Sequence, residues 1–406
     1  MKKKPLQRST RFALLLLGFE LLFWSYLIIS RSRYLDNYFV NDYQNTAMDF
    51  FNMLANLFSG HPYDNDANYP AMVFLILRIL NHLVPVIPDG GSGFFLRNYM
   101  PAQLAYILLS LLTILSIWEI FRYFSNSIAL ENYLFSLSFI LSGPFIFSVE
   151  RGNFILLSYL FLLLFFSCYD SPKKSIRYLG YLALAFSASI KIYPALFGII
   201  ILGKVHWKEV FGAVALGITV FIAPFFAFDG IASVKAMLNG ILLSSDLQGN
   251  IGMGYNFSFS NLLKILSAVL LFSIPVNDLL LRIIPFGLCM LIFLFNTERW
   301  KKIFAIALLC IWLPEFSYTY TLLFLTIPLF FFLKDTETES VLVRTIYSVL
   351  FLIIVSPLAL PSLSCFDTPG VKFPLSAATL LINFSIISIC IILIITGIFK
   401  FKEVHS

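Results

Sequence analysis

Residues 375–398 read LSAATLLINFSIISICIILIITGI, a run without a single charged side chain. A bilayer core about 30 Å thick is crossed by roughly 20 apolar residues of helix, so this run is long enough to span a membrane and offers water no polar face. Comparable runs occupy residues 11–30, 100–121, 130–149, 209–228, 280–296 and 342–360. A lone cleaved leader does not account for so many. Composition agrees, with 59% hydrophobic and 12% charged residues over 406 positions, where soluble domains carry roughly 25% charge. The expected fold is all-α: a polytopic transmembrane helix bundle, one membrane domain over residues 1–406, with about ten spans plus re-entrant and amphipathic helices on the non-cytoplasmic side.

The formal charge of +6 is distributed as a topology signal. Lys2, Lys3, Lys4 and Arg8 precede the first apolar run, which puts the N-terminus in the cytoplasm under the positive-inside rule. Arg122, the Lys173, Lys174 and Arg177 cluster, Lys204 with Lys208, the Arg299, Lys301 and Lys302 cluster, and Lys400 with Lys402 then fall on that same side, as does the C-terminus. The protein is thus expected in a cell membrane, multi-pass, with membrane lipids around it and no nucleic-acid partner. The five cysteines lack metal-ligand spacing, and with four histidines in the chain a histidine-rich metal site is not expected. No cofactor is expected; one Asp and one Glu on separate loops are thin support for a divalent metal.

This topology leaves two long non-cytoplasmic segments, residues 31–99 and 229–279. Within the first, apolar positions recur at helical spacing among polar ones, the pattern of amphipathic helices at a membrane surface. Residues 71–87 are apolar but contain Arg78, Asn81 and His82; a crossing there would invert every later basic turn, so a re-entrant or interfacial helix is expected. Residues 178–203 carry basic turns at both ends and Lys191 and Pro194 in the middle. A pair of broken helices presenting Lys191 to a cavity on the far side satisfies both.

Charges in or at the mouth of a membrane bundle are costly, and each is a functional candidate. Asp42 and Asp49, seven apart, share a helix face; a carboxylate there suits a general base, or else a solvated surface. Glu150, Arg151, Gly152 and Asn153 fall at the start of a span, where they either cap it or form an anion site from the Arg fork and the helix N-terminus. Lys191 precedes Tyr193 and Pro194 at bilayer depth, either as a phosphate-binding cation or as the partner of a buried carboxylate. Glu315 and Tyr318 lie in a polar turn between two apolar runs, and Asn256 in a second polar turn. Tyr63, His61 and Tyr193 are sugar-stacking candidates or aromatic packing. A base and two cations on one face suit transfer of a group from a lipid-linked phosphate to a hydroxyl. A flippase or transporter, or a polymerase of lipid-linked glycans, uses similar parts.

The runs MDFFNMLANLFSGHPY (48–63) and NYP (68–70), then ERGNFILL (150–157), SIKIYPALFG (189–198), YNFSFSN (255–261) and PEFSYTYTLLF (314–324) resemble, in that order, the DUF2029 group of membrane glycosyltransferases, glycosyltransferase family 87. The resemblance extends from about residue 45 to about residue 330. It implies a GT-C-type fold and an inverting hexosyltransferase of cell-envelope polysaccharide. Its donor is a polyprenyl-phosphate sugar, mannose in characterised members, and its acceptor a lipid or glycan hydroxyl on the non-cytoplasmic face. It also implies Asp49 as catalytic base, with Asp42 as a less well matched second candidate, and Arg151 and Lys191 facing the donor phosphate; from the residues themselves, Glu150, Asn153, Tyr193, Tyr63, His61, Glu315, Tyr318 and Asn256 are the candidates for substrate contact. Where many relatives carry histidine near residues 315–320, this chain has Glu315, Tyr318 and Tyr320.

Overall fold

The computed structural model describes residues 8–33, 35, 38–39, 45–64, 67–83, 91–125, 129–202, 207–248, 253–270, 277–334, 339–363 and 374–405. Asp42 lies outside the described residues. In chain order the first helices are α1 (Arg8–Ile29), α2 (Met48–Phe58), α3 (Ala71–Leu83), α4 (Gly93–Arg97), α5 (Met100–Ser125), α6 (Ala129–Ile140), α7 (Gly143–Arg151), α8 (Ile155–Cys168) and α9 (Lys174–Ile190). There follow α10 (Trp207–Ile222), α11 (Ile231–Gln248), α12 (Phe259–Leu270), α13 (Asp278–Phe295), α14 (Arg299–Trp312), α15 (Leu323–Lys334), α16 (Val341–Val355) and α17 (Ala377–His405). Two isolated bridges are the only extended pairings among the described residues.

By length and composition, five stretches among the described residues are long and apolar enough to cross a membrane: Arg8–Ile29, Met100–Arg122, Trp207–Ala227, Asp278–Phe295 and Ala377–Phe399. The pair Leu130–Ile140 and Gly143–Arg151, bent by 55°, makes a sixth if it counts as one span. The bend falls where Pro144 removes a backbone donor and crowds the preceding turn. The protein is a polytopic helical membrane protein. Its α3 is a 13-residue helix, about 20 Å long and short of a bilayer core.

The chain divides into two compact units. One comprises Met1–Asn41, Phe121–Ile146 and Gly249–Ser406. There α14 and α15 are buried on nearly every side, and Phe332, Tyr347 and Phe351 each meet Trp300 edge to face. The Lys301 side chain, fully enclosed, hydrogen-bonds Glu339 at 2.5 Å and pairs ionically with Glu298 at 3.3 Å. A basic residue read from sequence as a topology marker is here also a buried clasp.

The other unit comprises Asp42–Ile120 and Phe147–Gln248. Phe50, Phe51, Phe74, Phe154 and Phe225 centre its core. Its frame is the antiparallel hairpin of α8 and α9, where Ser158 and Ser187 each donate a hydroxyl to the other's carbonyl, at 3.0 and 2.8 Å. Small hydroxylated residues let two helices approach closely. An antiparallel pair brings the start of α8 and the end of α9 to one end of the unit, and the candidate residues gather there. α9 stops at Ile190; Lys191 is extended (φ −137°, ψ 130°), and a 3-10 helix, Tyr193–Ile201, follows. The break comes before Pro194 rather than at it, because proline is tolerated in the first turn of the new helix.

Candidate functional site

The site is built on a corner. α7 ends at Arg151, where Gly152 takes a left-handed conformation (φ +63°). The Gly152 and Asn153 amides donate to the Val149 and Ser148 carbonyls at 3.0 and 3.1 Å, the two bonds of a Schellman cap. From sequence the Glu150–Asn153 quartet was expected at the start of a span. It closes one helix and turns into the next, because glycine alone accepts that backbone cheaply. Asn153 then serves α8, its Oδ1 accepting the Ile155 amide at 2.9 Å.

Across the corner lies the approach to α2. Ala47 is also left-handed (φ 56°), and its amide donates to the Glu150 carbonyl at 2.6 Å. A Cβ on Gly152 would come within 2.9 Å of both the Cα and the carbonyl oxygen of Ala47. That close approach sets Asp49, in the first turn of α2, against the corner.

Asp49 is held at both oxygens. Arg151 Nη2 donates to Oδ1 at 2.7 Å and Asn153 Nδ2 donates to Oδ2 at 2.6 Å. Arg151 Nη1 also donates to the Asn45 carbonyl at 3.2 Å. The Asp49 side chain retains 20% exposure and that of Arg151 13%, so the pair is sheltered yet reachable. Charge-assisted bonds of this length are the strong ones.

Lys191 lies beside this group, its Nζ 3.8 Å from the centroid of the Tyr69 ring, a cation–π contact. Tyr69, buried in the loop before α3, also shares a hydrogen bond with Asn153 and lies within the fields of Asp49, Tyr193 and Arg151. Burial, with Asp49 and Tyr193 adding to it, raises the Tyr69 phenol well above its usual pKa and keeps it protonated. Asp49 and Lys191 are close enough for their charges to interact. Nothing in the sequence reading singled out Tyr69, one tyrosine among 19. Its only signal was the NYP run, in which the residue before a proline is biased to extended backbone.

The remaining candidates have partners of their own. The Tyr63 ring packs at 5.4 Å from Phe74 and 5.9 Å from Phe225, and its hydroxyl donates to the Tyr69 carbonyl at 3.1 Å. Tyr63 thereby supports Tyr69 from within the core. His61 pairs at the surface with Asp229, Nδ1 to Oδ2 at 3.0 Å. Glu150 takes a hydrogen bond from Thr46. Asn256, Glu315 and Tyr318 belong to the first unit. There Asn256 Oδ1 accepts the Ser258 and Ser317 amides at 3.0 and 2.9 Å, Tyr318 stacks edge to face on Phe316, and Glu315 is exposed. Both Asn256 bonds fix the turn. Among the described residues no three His, Cys, Asp or Glu side chains converge.

The model for glycosyltransferase family 87 matches residues 88–314, more than half of the chain. The chain belongs to glycosyltransferase family 87. The family makes the protein a membrane glycosyltransferase, with a sugar donor and an acceptor to accommodate. Arg151, Asn153 and Lys191 fall inside the matched range, whereas Asp49 and Tyr69 precede it. No curated protein and no solved structure matches this family 87 member.

Proposed function

We propose that this glycosyltransferase moves a hexose from a polyprenyl-phosphate donor to a hydroxyl of a lipid or glycan acceptor on the non-cytoplasmic face, with inversion, as GT-C-type enzymes do. One observation carries the reading: a carboxylate, a guanidinium and an amide meet at one half-sheltered corner, with a lysine beside them. In the displacement, the acceptor oxygen bonds to the anomeric carbon while the bond from that carbon to the phosphate oxygen breaks. The hydroxyl proton passes to Asp49, and polyprenyl phosphate leaves with the electron pair. The leaving phosphate needs positive charge more than a proton, and Arg151 and Lys191 supply it.

At rest the base is masked, because Arg151 occupies Oδ1 of Asp49. A donor phosphate competes for the same guanidinium, and each bond it takes from Asp49 restores basicity to the carboxylate. Donor binding therefore arms the base, and Asn153 keeps the carboxylate in place during the exchange.

The test is transfer of a radiolabelled sugar from polyprenyl phosphate by purified protein in lipid, wild type beside Asp49→Asn. Loss in a folded mutant supports the reading. Equal transfer by both removes Asp49 from the mechanism, and lipid flipping without transfer favours a flippase.

A further inference from the structure

A second feature lies along α2. Asp49, Asn52, Asn56 and Ser59 recur at helical spacing and form one stripe, and from Asn52 onward that stripe lines a cavity of about 410 Å³. Pockets that take small ligands span roughly 300–1,000 Å³. Across it stand Asn68, from the loop that carries Tyr69, and Ser92 with Gly93, at the start of α4. Among the described residues the lining holds amides, hydroxyls and small apolar groups but no charged residue. Neither the Asn52 nor the Asn56 side-chain amide bonds a described residue, so each keeps a donor and an acceptor for an incoming group. Gly93 makes room for one of them, since a Cβ there would lie 2.2 Å from Asn52 Oδ1.

Phosphate recognition calls on Arg, Lys or other charge-assisted donors. Sugar hydroxyls each give and take a hydrogen bond, and the primary amide does the same. We propose that this cavity is the acceptor subsite and that it takes an uncharged sugar ring, so that the acceptor is a neutral glycan or glycolipid sugar rather than an anionic lipid headgroup. The inference rests on the reading of Asp49 as base: the stripe leads the acceptor toward the carboxylate, one helical turn from Asn52.

The experiment uses the full chain in lipid with labelled polyprenyl-phosphate sugar, and compares octyl mannoside and octyl glucoside with phosphatidylglycerol as acceptors. Variants are Asn56→Ala, Asn52→Leu and Gly93→Ala, the last displacing the Asn52 amide without changing its chemistry. The expected result is transfer to an octyl glycoside, with its KM raised about tenfold in each variant and kcat changed less than KM. An unchanged acceptor KM in all three, or phosphatidylglycerol as the better acceptor, overturns the proposal. Equilibrium binding of octyl mannoside, read without turnover, separates the two readings. Binding weakened by the variants in a protein that transfers nothing keeps the sugar subsite and defeats the transfer mechanism; equal binding by wild type and variants defeats the subsite.

Discussion

Two ion pairs, one in each unit, show what distinguishes a clasp from a reactive group. Lys301 is wholly enclosed and reaches two carboxylates, whereas Asp49 and Arg151 meet where both remain partly exposed. An enclosed charge gripped by two partners has no route to exchange them, and removing it leaves two largely buried carboxylates without their cation. A half-sheltered pair can trade a partner for a ligand that brings its own charge. The basic cluster that reads as topology is therefore also architecture, while the ERGN corner has the makings of chemistry.

The largest expected effect breaks the reactive side of that contrast. Asp49→Asn lowers sugar transfer by about 10³-fold, with little change in thermal unfolding in detergent. Lys301→Met does the reverse: it destabilises the protein by about 3–5 kcal/mol, and transfer per folded molecule stays at the wild-type rate. Gly152→Ala affects both properties, since a left-handed alanine costs about 1–2 kcal/mol and its Cβ presses on Ala47; calorimetry and transfer should fall together. Arg151→Lys keeps the charge but loses the planar fork, and the donor KM rises about tenfold. The smallest effect sharpens the comparison: Tyr69→Phe removes the bond to Asn153 and keeps the ring under Lys191, for a loss of about 0.5–1.5 kcal/mol seen in kcat and not in donor affinity.

Most of the fold was legible because hydropathy reports a length requirement directly. The runs at 11–30, 100–121, 209–228, 280–296 and 375–398 all correspond to helices long enough to cross. The run at 130–149 reads as equally apolar, but it is broken at residues 141–142, just ahead of Pro144, a local effect that averaged hydropathy does not register. The run at 342–360 ends as helix at Val355, just before Pro357. For the site, sequence singled out Asp49, Arg151, Asn153 and Lys191 because polar groups in apolar surroundings stand out. It could not show that Asp49 and Arg151, 102 residues apart, bond each other, since that depends on the corner at Gly152. Tyr69 escaped notice because an aromatic ring among 45 Phe and 19 Tyr carries no contrast. Tyr63 stood out for its setting and is committed to packing.

The interlock of Ala47 and Gly152 also bears on heredity. Each residue takes the left-handed backbone, and a side chain on Gly152 would run into the main chain of Ala47. Neutral drift that tolerates exchanges throughout the lipid-facing helices has almost no room at position 152. The atoms in the way belong to the Ala47 main chain, which no exchange of side chain removes, so among descendants of this chain position 152 should stay glycine whatever stands at 47.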